Sequence, residues 1–206
     1  ALRLYDFDSS GNVNVSTNFT GTDFMRFDFS FSSDQFTGTT GNSFLRIGFG
    51  RSGMNVASSS DGNVMGRVVL SRTGGSTSTF AVRDNTSDTT VSSNFTLQAS
   101  HQVSIFANTN DSAAGGYTFS GAQTVASNTY DVFLDGVLVA DDFAFRSGST
   151  SGENDITDIG FATGGSQTTP DWLFDDITVS AVPEPSTYAM IIIAGGLLYG
   201  FRRSKK

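Results

Sequence analysis

The sequence of 206 residues contains no cysteine, one histidine and one tryptophan, and its only lysines are the last two residues. The absence of cysteine excludes disulfides, thiolate metal sites and cysteine nucleophiles. His101 opens a strand pattern, where a structural or solvated imidazole is favoured over a general base. No GxSxG elbow is present, and no glycine loop stands between a strand and a helix to cradle phosphate. Enzyme classes built on these groups are therefore poorly supported.

Positive charge is scarce before Tyr188, where eight arginines stand against twenty acidic residues for a net charge of −12. The last nineteen residues, in contrast, carry +4. A surface this acidic repels phosphate backbones, so we expect no nucleic-acid partner. Eighteen of the twenty acids are Asp, which favours turns and strand ends over helices. The chain length suits one domain with an appendage.

Alternation of apolar and polar residues with a period of two recurs along the chain and predicts half-buried strands. In MRFDFSF, 25–31, the methionine and three phenylalanines point one way while Arg26 and Asp28 point the other. YDVFLDGVLV, 130–139, predicts a hairpin that turns at Asp135 and Gly136. Further strand candidates are 44–50, 64–71, 79–84, 101–108, 155–164 and 172–180. With no helical periodicity before Ser180, the pattern predicts an antiparallel sandwich or barrel whose core holds most of the nineteen phenylalanines.

The order of these elements resembles a concanavalin A-like (laminin G-like) jelly roll. In that family a late hairpin like YDVFLDGVLV precedes a strand like ITDIGFAT, and a closing strand like FDDITV pairs with the first strand, here LRLYDFD. The resemblance implies an all-β antiparallel jelly-roll β-sandwich over residues 1–180. A galactose-binding-like jelly roll, which also often ends in a strand like FDDITV, is the alternative.

The chain closes with fourteen uncharged residues, Tyr188 to Phe201, after a linker at 181–187. As a helix this run measures roughly 21 Å, short of the ~30 Å hydrocarbon core. With interfacial tyrosines and snorkelling of Arg202 and Arg203, we expect one transmembrane helix within 188–206. The basic end predicts a cytoplasmic C-terminus, with the β domain across the membrane. We therefore expect that a signal peptide preceded Ala1.

Pro183-Glu184-Pro185, the apolar run and Arg202-Arg203 together resemble the tripartite PEP-CTERM sorting signal of Gram-negative bacteria. The resemblance implies an inner-membrane intermediate that an exosortase, a membrane-embedded cysteine transpeptidase, cleaves near Pro-Glu-Pro. It also implies delivery to the cell surface or to the exopolysaccharide matrix of a biofilm. The two prolines lock an extended segment that cannot continue the helix and so present its backbone for cleavage. The alternative is an ordinary membrane anchor with a proline-rich linker.

Calcium is the cofactor that the sequence favours. DFDSSGNVN resembles the first half of a calcium loop, with oxygen ligands at Asp6 and Asp8. Because the first and last strands of both jelly rolls are neighbours, we expect these acids to approach Asp175 and Asp176 and to hold one structural Ca²⁺. The alternative is that these acids are solvated on the outer faces of the strands.

The sequence contains one candidate catalytic motif, ENDITD at 153–158. Residues two apart on a strand face the same side, and retaining glycosidases need two nearby carboxylates. A jelly-roll glycoside hydrolase family has Glu-x-Asp-x-x-Glu on such a strand, but here the final position is Asp158 and the motif lies late in the domain. We assign no catalytic residue.

Trp172 is expected in the core, and the alternative is that its ring stacks on a sugar. The sequence thus predicts a structural, adhesive or glycan-binding surface protein, with a polysaccharide hydrolase or lyase, or a matrix protein without a specific ligand, as alternatives.

Overall fold

The computed structural model describes residues 2–5, 13–33, 43–58, 60–73, 77–84, 87–93, 96, 99–146, 156–165 and 171–182. Within these ranges every regular element is a strand, and no helix long and apolar enough to cross a membrane is found. The expected transmembrane helix lies outside them, as do Pro183, Glu184, Pro185, Arg202 and Arg203. The strands are β1 (Leu2–Tyr5), β2 (Val13–Asn18), β3 (Phe24–Ser33), β4 (Ser43–Gly50), β5 (Val64–Thr73), β6 (Thr77–Asp84), β7 (Ser87–Ser93), β8 (His101–Asn108), β9 (Gly115–Thr118), β10 (Ala122–Val125), β11 (Thr129–Leu134), β12 (Val137–Ala144), β13 (Asp158–Gly165) and β14 (Asp171–Ala181).

The strands form two six-stranded antiparallel sheets and one small hairpin. Sheet A has the order β1-β14-β3-β8-β11-β12, and sheet B has the order β2-β13-β4-β5-β6-β7. The pairing of β1 with β14 confirms that the first and last described strands are neighbours. The hairpin of β9 and β10 forms a separate third layer. The prediction of an all-β antiparallel sandwich is confirmed.

The core lies between the two sheets and follows from the alternation in the strands. In β3 the residues Met25, Phe27, Phe29 and Phe31 are buried, as the period-two pattern predicts. They meet inward residues of sheet B, and the ring of Phe27 stacks on that of Phe49 at 5.4 Å. Burial of each such ring contributes about 1.5–3 kcal/mol, which explains how a cysteine-free chain holds a sandwich together.

The predicted hairpin at Asp135 and Gly136 is confirmed, since both residues have positive φ, 51° and 76°. The pattern did not predict four strands, β2, β7, β9 and β10. Of these, β2 and β7 are rich in Ser, Thr and Asn and lie at opposite edges of sheet B. Edge strands bury less side-chain area, so their composition carries a weaker apolar alternation. Their exposed residues place two polar margins on this sheet.

Candidate functional site

Of the four predicted metal ligands, the structure describes Asp175 and Asp176. Both are exposed on β14, where a bulge interrupts the pairing with β3 and Asp176 has φ +52°. The register of β1 with β14 runs from Leu2 opposite Phe174 to Tyr5 opposite Asp171, so β1 leads away from the bulge. Asp6 and Asp8 lie outside the described residues, and their approach to the bulge stays a prediction.

Two further residues considered from the sequence, Trp172 and His101, have structural roles. Trp172 is 1 % exposed and packs in the core, as expected. His101 packs on Phe31, and its two ring nitrogens lie 2.7 Å from an Asp135 carboxylate oxygen and from the Thr96 carbonyl. These two contacts therefore stabilise the β11–β12 turn and the neighbouring loop, which agrees with the expectation that His101 is a structural residue.

Asp158, the last residue of the ENDITD lead, is buried on the outer face of sheet B. One carboxylate oxygen accepts a hydrogen bond from the Gly53 amide at 3.1 Å, and the other is buried without a hydrogen-bond partner. Glu153 lies outside the described residues. The contact with Gly53 fixes a loop, 51–63, which makes Asp158 an anchor for that loop.

A cleft lies on the outer face of sheet A, beneath the β9–β10 hairpin. We call it the hairpin cleft; it has a volume of about 620 Å³. It is lined by Arg26, Phe106, Gly116, Tyr117, Thr118, Ala122, Gln123, Ser180, Ala181 and Val182. Its size lies within the range of small-molecule sites, and its lining combines aromatic rings with a few polar groups.

An aromatic cluster on the outer face of sheet A supports this cleft. The rings of Phe106 and Tyr117 stack at 3.9 Å and 15°, and Phe133 meets both edge-on. Phe24 completes the cluster, and a Cβ on Gly115 would lie 2.6 Å from its ring. The hairpin can therefore approach the sheet this closely only because residue 115 is glycine.

Arg26 supplies the polar group at the floor of the cleft. Its guanidinium lies 4.9 Å from the ring centre of Phe119 and 5.3 Å from that of Phe106. It also pairs with Asp28 at 2.8 Å, and Asp28 accepts a hydrogen bond from Ser104 at 2.6 Å. The side chain is thus held in place while a third of its surface stays exposed. A guanidinium fixed in this way can donate to ligand hydroxyls.

Tyr117 connects the cleft to a buried carboxylate. Its hydroxyl donates to Asp131 at 2.5 Å, and the other Asp131 oxygen accepts from the Asp142 amide at 2.8 Å. Burial raises the pKa of Asp131 to about 6, although the bond from Tyr117 opposes the shift. Burial and the bond to Asp131 raise the pKa of Tyr117, which therefore remains a protonated donor.

Asp131, Asp141 and Asp142 form a group of three carboxylates whose oxygens lie within 4.8 Å of one another. Asp131 is buried, while the other two are exposed at an irregularity of β12 where Asp142 has φ +51°. Carboxylate oxygens at this spacing can hold a hard cation such as Ca²⁺. The sequence analysis assigned no ligand role to Asp141 and Asp142, because the irregularity of β12 opposite Asp131 leaves no local signal in the sequence.

The loop of residues 51–58 and 60–63 covers part of the outer face of sheet B. Met54 and Val56 are buried there against Val64 and Ala162. Arginines hold the loop by its carbonyls: Arg46 donates to Ala57 and Arg146 donates to Asp61. The loop thus closes the part of the face formed by β13 and β4.

Comparison with known proteins gives a fold and no family. No family model matches the chain, and no curated protein is similar in sequence. Among solved structures, an alginate lyase, Aly36B, in complex with an alginate tetrasaccharide matches with a TM-score of 0.56 and 16 % identity over 88 % of this chain and 81 % of that one. The T. cruzi calreticulin globular domain matches with 0.51 and 15 % over 93 % and 76 %. The potassium-bound Emp46p carbohydrate recognition domain matches with 0.50 and 14 % over 88 % of each chain. The chain therefore shares the jelly-roll sandwich of lectin and polysaccharide-lyase domains.

Proposed function

We propose that this chain is a polysaccharide-binding module of the cell surface or extracellular matrix, and that the hairpin cleft holds the saccharide. The observation that carries the proposal is the lining of the cleft, where stacked aromatic rings, a fixed guanidinium, an amide and hydroxyls surround about 620 Å³. Sugar rings present apolar faces and hydroxyl edges, which this combination complements. The fold likeness to a lyase bound to a tetrasaccharide and to a carbohydrate recognition domain supports the same class of ligand.

The geometry of the cleft favours binding over catalysis. Tyr117 donates to Asp131 and has a raised pKa, so it stays protonated at neutral pH and does not supply a general base. The Arg26 guanidinium serves as a hydrogen-bond donor. Polysaccharide cleavage by a hydrolase or lyase is the alternative, which the fold likeness to an alginate lyase favours. Release of reducing ends from a polysaccharide panel, abolished in Glu153→Gln, would support it.

Two variants, each with one alanine replaced by tryptophan, test the binding site. Ala122 is exposed at the rim of the cleft, and Ala114 is exposed just before the same hairpin but outside the lining. We expect Ala122→Trp to fill the cleft and to abolish binding on a polysaccharide array, whereas Ala114→Trp binds like the wild type. Equal binding by both variants would refute the assignment. A flat array for the wild type would favour a matrix protein without a specific ligand.

Delivery to the surface is the second part of the proposal and depends on the C-terminal motif. Pro183-Glu184-Pro185 and Arg202-Arg203 are proposed to direct processing by an exosortase after export. The intact mass of the protein recovered from cells with and without that enzyme tests this step. Loss of the tail near Pro-Glu-Pro only in its presence is the expected result. A mass that includes Lys206 in both strains would indicate a retained membrane anchor.

One bound Ca²⁺ is the proposed cofactor, with Asp6, Asp8, Asp175 and Asp176 as the ligands proposed from sequence. Thermal unfolding with Ca²⁺ or with chelator tests this site and also the carboxylate group of Asp131, Asp141 and Asp142. We expect Ca²⁺ to raise the melting temperature relative to chelator, and Asp175→Asn/Asp176→Asn to remove the rise. If Asp141→Asn/Asp142→Asn removes it instead, the ion binds beside the hairpin cleft. The absence of any rise would refute the cofactor.

A further inference from the structure

The outer face of sheet B concentrates positive charge on a chain that is otherwise acidic. Arg46 on β4, Arg67 on β5 and Arg83 on β6 lie on this face of neighbouring strands. In the described structure their ion pairs converge on one carboxylate: Arg67 binds Asp88 through two nitrogens, at 2.9 and 2.7 Å, and Arg83 approaches it at 3.7 Å. Two of the three guanidinium groups, those of Arg67 and Arg83, therefore share one acid.

The arginines on either side of Arg67 retain unused donors. The Nε atoms of Arg46 and Arg83 are buried and have no hydrogen-bond partner. Arg46 is held over the ring of Phe44, 4.1 Å from its centre, and donates from Nη1 to the Ala57 carbonyl. Burial and repulsion by Arg67 and Arg83 lower the pKa of Arg46, against the attraction of Asp88. A further anion beside Arg46 would offset this burial and repulsion.

The floor between these arginines is small and apolar. Arg46 stands opposite Val69, Val69 stands opposite Ala81, and Arg83 follows two residues after Ala81 on the same face. Arg67 is fixed by Asp88 and by its bond to the Ser58 carbonyl, so it contributes charge and leaves the outer guanidiniums to bind. Val69 and Ala81, which are 6 % and 7 % exposed, thus separate Arg46 from Arg83 on this face.

We infer that Arg46 and Arg83 form a binding site for an anionic group, the carboxylate or sulfate of an acidic saccharide, on the outer face of sheet B. We call it the arginine site. Planar guanidinium groups match carboxylate and sulfate oxygens, and they bind them more strongly than neutral acceptors. The anion part of the inference stands on this geometry alone, and the saccharide part rests on the proposed function. The arginine site lies on the sheet opposite to the hairpin cleft, so the two can be tested independently.

Trigalacturonate, inorganic sulfate and maltotriose are the probes, added to the full chain and to the variants Arg46→Gln and Arg83→Gln. Arg3→Gln is the control for loss of charge, because Arg3 is exposed on β1 in sheet A. Calorimetry is expected to show trigalacturonate binding that weakens about tenfold or more in each arginine-site variant, since a charged hydrogen bond contributes on that scale. Arg3→Gln should change the affinity less than twofold, and maltotriose should not bind at this site.

Sulfate separates the anion from the saccharide. We expect it to raise the melting temperature of the wild type above that in sodium chloride of equal ionic strength, and this excess should vanish in Arg46→Gln/Arg83→Gln. An excess that persists in the double variant reflects general salt exclusion and overturns the site. If sulfate acts through the arginines but trigalacturonate does not bind, the anion site holds and its saccharide assignment is overturned. Loss of trigalacturonate binding in Ala122→Trp alone would place the anion in the hairpin cleft and overturn the inference.

Discussion

Replacement of Asp131 by Asn should change how stability depends on pH, because this buried carboxyl has a pKa of about 6 in the folded chain. The carboxyl is 1 % exposed, held by Tyr117 and the Asp142 amide. An unfolded Asp titrates near 3.8. Between these values the folded chain binds more protons than the unfolded chain, so stability falls as pH rises from about 4 to 6 and then levels.

The size of the effect follows from the difference between the two pKa values. A shift of about two units corresponds to roughly 3 kcal/mol, at about 1.4 kcal/mol per unit. Asn keeps the shape of Asp, can accept from the Asp142 amide and does not titrate. We therefore expect Asp131→Asn to lack this fall, so that its free energy of unfolding relative to the wild type improves by about 1–3 kcal/mol between pH 4 and pH 8.

Urea unfolding of the wild type and Asp131→Asn across this pH range, with chelator present, measures the difference. The other carboxylates titrate in both proteins and cancel. Asp84→Asn, which replaces an exposed Asp on β6, is the control for the loss of one surface carboxylate. Parallel stability curves for the wild type and Asp131→Asn would refute the reasoning, because they would mean that Asp131 has the same pKa in the folded and unfolded chains.

Two further predictions concern the 51–63 loop. A Cβ on Gly50 would lie 2.0 Å from the Asn63 carbonyl oxygen, so Gly50→Ala should lower the free energy of unfolding in urea by more than about 3 kcal/mol. Gly62 has open space around it, so Gly62→Ala should change the free energy of unfolding by less than about 1 kcal/mol. Equal effects of the two substitutions would contradict the packing. Val56→Ala removes two methyl groups from a fully buried side chain and should lower the free energy of unfolding by about 2 kcal/mol. The Gly53 amide should then exchange its hydrogen faster. Unchanged exchange would mean that Val56 does not hold the loop.

The fold could be predicted from the sequence where one face of a strand is buried. The alternation of Phe27 and Phe29 with Arg26 and Asp28 is a local signal, and the structure confirms it. The turn at Asp135 and Gly136 is equally local, because positive φ is needed at both positions. The edge strands of sheet B, β2 and β7, were missed because an edge strand does not require apolar alternation.

The hairpin cleft could not be predicted because its residues come together only through the sheet register. Phe106 and Phe133 were interpreted as core, and they are buried, but on the outer face of sheet A under the β9–β10 hairpin. One signal was available: in β11, Tyr130 to Leu134 are apolar or buried on both faces, which requires a layer on each side. The arginine site depends likewise on Arg46 and Arg83 being thirty-seven residues apart in sequence and two strands apart in sheet B.

The most direct test of the central claim is a chemical-shift map of the isotopically labelled chain titrated with a saccharide that binds on the array. If the hairpin cleft is the site, the largest shifts fall on the amides of Gly116, Thr118, Gln123 and Ser180, and they saturate together. Shifts confined to the outer face of sheet B, around Arg83 and Asp88, or spread without saturation, would contradict binding in the cleft.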